Sequence, residues 1–187
     1  MKGAHAIAAT TAVLRHQLEL GLARAQVAAA LGGSAAVSAL PPDRIATGGD
    51  ERPLLNLFLY QVTPNLSSRR REGDGIAAFD LHYLLAAYGA SDLHTELLLG
   101  QALEALRPLR ALETGAFRRI LGDALEGEAL RELAPILTPL AMQDDGPVMQ
   151  IEVAPQFLAL EELSRLWSAF QARFRPSLAL KIALVCR

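Results

Sequence analysis

Residues 56–65 read NLFLYQVTPN and residues 79–89 read FDLHYLLAAYG, and these two stretches decide the fold class. Each is a short run rich in Leu, Phe, Tyr or Val, the composition of a pleated, half-buried strand. Each stops on turn residues: Thr63-Pro64-Asn65 closes the first and Gly89 the second. Asn56 and Gln61 in the first, and Asp80 and His82 in the second, are polar residues set among apolar ones. Asp80 and His82 stand two apart, so on a strand they share a face. Neither run carries a set of groups fit for chemistry, so the sheet they predict reads as a scaffold.

The connection between them, PNLSSRRREGDGI over 64–76, is the most polar part of the chain. It is longer than a tight hairpin and joins strands expected at 54–62 and 78–88, placed to lie antiparallel. Arg69, Arg70 and Arg71 make it the sharpest charge feature. One reading is a loop that docks on an acidic partner surface; the other is a solvated loop balanced by Glu72 and Asp74. A second long connection, PPDRIATGGDERP over 41–53, carries three prolines and Gly48-Gly49.

The flanking periodicities are mostly helical. Ile7, Val13, Leu14, Leu18, Leu22 and Val27 predict one long helix over 4–30, ended by Gly32-Gly33-Ser34. AAVSAL at 35–40 predicts a short strand. Ser91 or Asp92 is the expected N-cap of a helix running to Leu106, with Leu93, Leu97, Leu98, Ala102 and Leu106 as its buried stripe. Thr114–Leu121 and Glu126–Ala134 read as short helices, kept short by Pro135, Pro139 and nearby glycines. PVMQIEVA at 147–154 alternates as a strand, with Val148, Gln150, Glu152 and Ala154 on one face and Met149, Ile151 and Val153 on the other. A helix at 159–170 and a last strand, SLALKIALVC at 177–186, complete the order. The expectation is an α+β fold: a single domain over 1–187, with a mostly antiparallel mixed sheet of about four to five strands packed with helices.

Composition agrees with a folded soluble protein. Of 187 residues, 51% are hydrophobic and 20% charged, enough to bury one substantial core. A net charge of −2 gives no general attraction to nucleic acid. The apolar N-terminus is interrupted by Arg15, His16, Glu19 and Arg24, so it lacks the roughly 18 uncharged residues a membrane span needs. Cys186 is the single cysteine and has no internal disulfide partner, which fits synthesis in the cytoplasm.

Catalytic templates stay empty. His5, His16, His82 and His94 form no HExxH, and there is no cysteine pair, so neither a metal site nor a cofactor is expected. There is no G-x-S-x-G elbow. Gly32-Gly33-Ser34 and Gly48-Gly49-Asp50 are too short for a phosphate loop. Asp144-Asp145 sits before a Gly-Pro turn, and Glu161-Glu162 lies near a helix N-terminus, where negative charge suits the dipole. An alternative function, a small-ligand-binding protein or hydrolase with a pocket near Asp80 and His82, lacks a third group in the sequence.

Four segments carry a resemblance. AIAATTAVLRHQLELGL (6–22), NLFLYQVTPNLSSR (56–69), FDLHYLLAAYG with HTELLLGQALEAL (79–89 and 94–106), and LEELSRLWSAFQARFRPSLALKIALV (160–185) resemble the cap, or tail-terminator, proteins of extracellular contractile injection systems of the virulence-cassette and antifeeding-prophage type. In the last segment Trp167, Phe170 and Arg175-Pro176-Ser177 stand where that family has them; residues 110–147 match poorly. The resemblance implies a structural cap rather than an enzyme, with no catalytic residue. The cap would assemble as a homohexameric ring that ends the inner tube and anchors the last sheath ring, at the distal end of a phage-tail-like particle. Its partners would be itself, tube protein and sheath protein, without nucleic acid or membrane insertion. Within that frame Arg69, Arg70 and Arg71 are the expected contact surface. The terminal strand is a second candidate, because an apolar strand at a chain end invites pairing unless it is covered.

Overall fold

In the computed structural model, which describes residues 5–48, 51–65, 77–142 and 148–186, the two opening runs are neighbouring antiparallel strands. They are β2 (Leu54–Pro64) and β3 (Ala77–Tyr88). With β1 (Ala36–Ser38), β4 (Leu112–Glu113), β5 (Val148–Gln156) and β6 (Ser177–Cys186) they form one sheet of order β1-β2-β3-β6-β5-β4. β1 runs parallel to β2; the other neighbours are antiparallel. The fold is therefore the expected α+β arrangement with a mixed, mostly antiparallel sheet. Its six strands exceed the expected number because β4 is two residues long, too short to leave a period-2 pattern.

The terminal strand corrects an expectation. β6 pairs with β3 from Ser177 to Cys186 on one side and with β5 from Ala179 to Cys186 on the other. Both edges are already paired, so it offers nothing to a neighbouring subunit.

Register corrects another. A shift between Val148 and Gln150 in the β5–β6 ladder turns Val148 to the side of Ile151 and Val153, and all three are buried. A strict alternation puts Val148 with Gln150 and Glu152, but one extra residue reverses the face.

The long N-terminal helix is in fact two, α1 (Ala6–Leu22) and α2 (Ala25–Ala30), separated by extended backbone at Arg24 (φ −62°, ψ 129°). On one straight helix Val27 falls about 180° from Leu18 at 3.6 residues per turn. The break lets Val27 and Leu31 join Val13, Leu14, Leu18 and Leu22 in the core. α3 (His94–Leu106) starts later than expected: Leu93, not Ser91 or Asp92, is its first flanking residue, left-handed at φ 63° and 72% exposed. Leu98, Ala102, Ala105 and Leu106 are its buried stripe. α4 (Thr114–Leu125) is followed by a 3-10 turn at Glu128–Leu130, where a helix over Glu126–Ala134 was expected. α5 (Ala134–Met142) accommodates both prolines, Pro135 in its first turn and Pro139 inside. Leu137, Leu140 and Ala141 bury against the core, and that packing outweighs the missing proline donor. α6 (Leu160–Ala169) begins with Glu162 accepting the Ala159 N–H at 2.8 Å.

Helices α1 to α5 cover one face of the sheet. Their apolar stripes meet Leu55, Leu57, Leu81, Tyr83, Leu85, Ile151, Val153, Leu180, Ile182 and Leu184 in the main core. α1 lies against α3 so closely that a Cβ on Gly21 would come within 2.7 Å of Ala105 Cβ. Tyr83 reaches through this core, its hydroxyl 2.7 Å from Thr11 Oγ1 on α1. Among the described residues the opposite face is covered only in part. Leu84, Ala86 and Tyr88 lie under Trp167, Leu163 and Phe170 of the α6 segment, with Ile45, Leu54 and Tyr60 at the side.

Candidate functional site

Beyond α6 the second face is polar, and Asp80 and His82 project from it as their spacing requires. A register shift between Leu59 and Gln61 in β2 leaves Tyr60 beside them, its ring centroid 6.1 Å from that of His82. The two residues are not a pair. His82 Nε2 lies 3.0 Å from Thr63 Oγ1, and its Nδ1 lies 2.9 Å from Gln156 Oε1. Asp80 Oδ1 accepts from Asn65 Nδ2 at 2.8 Å, and its Oδ2 sits 3.7 Å from Lys181 Nζ. With Gln156 Oε1 as acceptor, the imidazole donates from Nδ1 and can accept the Thr63 hydroxyl proton at Nε2.

This geometry bears on the hydrolase alternative. A general base needs a free ring nitrogen and an orienting group, with a cleft for substrate. Both His82 nitrogens are engaged, and Asp80 is turned to Asn65 and Lys181. Three grooves of about 230, 260 and 470 Å³ lie elsewhere, none lined by Asp80 or His82. Among the described residues no cluster of His, Cys, Asp and Glu could hold a metal ion. Cys186 is buried with its Sγ 3.4 Å from the Ala77 carbonyl, and burial pushes its thiol pKa up, away from the reactive thiolate.

The most constrained polar cluster was not visible in the sequence. Arg175, just ahead of β6, reaches Glu51, just ahead of β2, with Nη2 to Oε2 at 2.7 Å. Glu51 Oε1 accepts the Gly89 backbone N–H at 2.8 Å, and the guanidinium stands 5.5 Å from the Tyr88 ring centroid. The side chain of Glu51 is only 5% exposed. Three strand ends are thereby tied together: the start of β2, the end of β3 and the start of β6. Burial raises the Tyr88 hydroxyl to a pKa of about 12, against a smaller opposing pull from Arg175. Arg175 lies in a recognisable Arg-Pro-Ser segment, but Glu51 sits in a polar loop with nothing to distinguish it.

Arg69, Arg70 and Arg71 lie outside the described residues. The described part of the 41–53 connection folds back on the sheet: Asn56 Nδ2 donates to the Leu40 carbonyl at 3.0 Å, Pro42 is buried, and Ile45 packs beside α6.

Residues 9–186 match the model of the Pvc16 N-terminal domain. The chain belongs to that family. Two solved structures share the family fold. One is the sheath/tube terminator of an extracellular contractile injection system, PVC, in its extended state; the likeness has a TM-score of 0.58 at 18% identity, over 96% of this chain and 55% of that one. The other is the cap of the anti-feeding prophage, a tube-terminating cap, with a TM-score of 0.50 at 17% identity, over 81% of this chain and 47% of that one. The chain thus spans about half the length of the structures it matches. No curated protein matches it. Among the described residues no helix is long and apolar enough to cross a membrane.

Proposed function

We propose that this chain is the structural cap of a contractile injection system, a non-enzymatic terminator that ends the inner tube and anchors the last sheath ring. The observation that carries the reading is membership of the Pvc16 N-terminal domain family over residues 9–186. The fold likeness to a sheath/tube terminator and to a tube-terminating cap supports it. So does the engagement of Asp80 and His82 by separate structural partners.

In this reading the chain folds as one unit, is made in the cytoplasm and is built into the distal end of a phage-tail-like particle. It assembles as a homohexameric ring whose faces touch tube and sheath protein. Arg69, Arg70 and Arg71 supply one contact, on the strength of their charge alone. Deleting the gene from a producing strain should give tubes of uncontrolled length and unanchored sheaths by electron microscopy. Particles of normal length and sheath would sink the reading. Charge reversal of all three arginines should loosen ring or sheath attachment; unchanged particles would remove those residues from the interface.

A further inference from the structure

Two surfaces of the chain complement each other. The first follows β5. Phe157 is 91% exposed and Leu160 is 68% exposed, on a six-residue span that ends in the exposed carboxylates Glu161 and Glu162. Neither apolar side chain packs into the cluster that covers this face of the sheet, which takes Leu163, Trp167 and Phe170 from the same segment instead. Glu162 is held by the Ala159 N–H, and Glu161 has no ion-pair partner among the described residues. The span therefore presents an exposed aromatic side chain, the knob, beside negative charge.

The second surface lies on the opposite side of the sheet, where the chain leaves α3. A groove of about 230 Å³ is floored by Leu106, Val153, Pro155 and Leu180 and rimmed by Arg107 and Arg110. It is smaller than a typical small-molecule site of about 300–1,000 Å³ and suits one or two side chains. Arg107 shares the exposed Glu104 at 3.5 Å, and Arg110 has no carboxylate partner among the described residues. Glu104 also lines the groove and offsets Arg107, so Arg110 is the rim's net positive charge, and the knob is apolar with an acidic flank.

We propose that the Phe157–Glu162 knob of one copy seats in the Arg107–Arg110 groove of a second copy. Phe157 would fill the apolar floor, and Glu161 would pair with Arg110. Because the two patches differ, the contact is heterologous, the type that closes into a ring when the rotation permits. The proposal rests on the ring of the preceding section and names surfaces that would build it. Aromatic anchors in apolar pockets dominate association, with charges fixing register and partner choice.

Sedimentation of the purified chain tests this. Phe157→Ser should weaken self-association roughly thirtyfold or more, as loss of an aromatic anchor does. Arg110→Glu and Glu161→Arg should each weaken it, and the double variant R110E/E161R should recover it. Circular dichroism keeps misfolding apart from lost contact, and all three positions are exposed. Variants that assemble like the wild type, or a double variant no better than the singles, overturn the contact and leave the ring reading standing. A wild-type chain that stays monomeric both alone and on tube ends overturns the ring as well.

Discussion

Arg175 and Glu51, 124 residues apart in sequence, meet at 2.7 Å at the end of the sheet where three strands begin or end. The Glu51 side chain is nearly buried, with Arg175 on one carboxylate oxygen and the Gly89 N–H on the other. Arg175→Ala should destabilise the fold by about 3 kcal/mol, the cost of leaving a buried charge uncompensated. Urea unfolding measures it. A loss below about 0.5 kcal/mol, the level of a surface pair, would show that the cluster contributes little.

β6 lies between β3 and β5, so truncation after Pro176 removes both ladders and takes Leu180, Ile182 and Leu184 out of the core. The expected product has no cooperative unfolding transition and fails to show native near-ultraviolet dichroism. A folded truncated chain would contradict the central placement of this strand.

Gly21 and Ala105 mark the closest approach of α1 to α3. Gly21→Ala gains helix propensity of about 1 kcal/mol but forces the helices apart at a cost of about 1–3 kcal/mol. The net is destabilising, and Ala105→Gly on the same chain should relieve it. A double-mutant cycle in thermal unfolding reads the coupling; strictly additive effects would mean the two helices do not press on each other there.

Tyr83 is fully buried, and burial raises its hydroxyl from 10.0 to about 12, with the Thr11 bond opposing in part. A tyrosine whose folded pKa is raised holds its proton longer in the folded state than in the unfolded chain. The stability it contributes is complete below pH 10 and is lost as pH rises through about 12. Tyr88 shifts the same way, also by burial. The urea midpoint should fall between these pH values, and Tyr83→Phe should flatten that fall while costing about 1 kcal/mol at neutral pH for the lost hydrogen bond. A variant with the wild-type alkaline slope would assign the loss to other groups.

His82 is held by Thr63 and Gln156 on a partly open face, where water can replace it. His82→Ala should cost only about 1 kcal/mol and leave assembly intact. Loss of a measurable hydrolytic activity in this variant would revive the enzyme alternative.

The sequence by itself determined every strand but the two-residue β4, and most helices, because burial of one face writes itself into local periodicity. NLFLYQVTPN and FDLHYLLAAYG are strands on their own terms, and the stripe Leu98, Ala102 and Leu106 needs only a helical period to be read. Asp80 and His82 on a common face followed from their spacing alone. The tertiary structure decided what local pattern does not encode. Arg24 breaks α1 from α2 because Val27 must reach the same core as Leu18, and Pro139 stays inside α5 because Leu137 and Leu140 bury around it. Val148 changes face at a ladder irregularity set by β6. The terminal strand is central rather than an edge because β3 and β5 close on it from both sides. The partners of His82 are Thr63 and Gln156 rather than Asp80, since hydrogen bonds go to whatever the sheet brings within reach. Glu51 has a role only through Arg175, and no window of the sequence contains both.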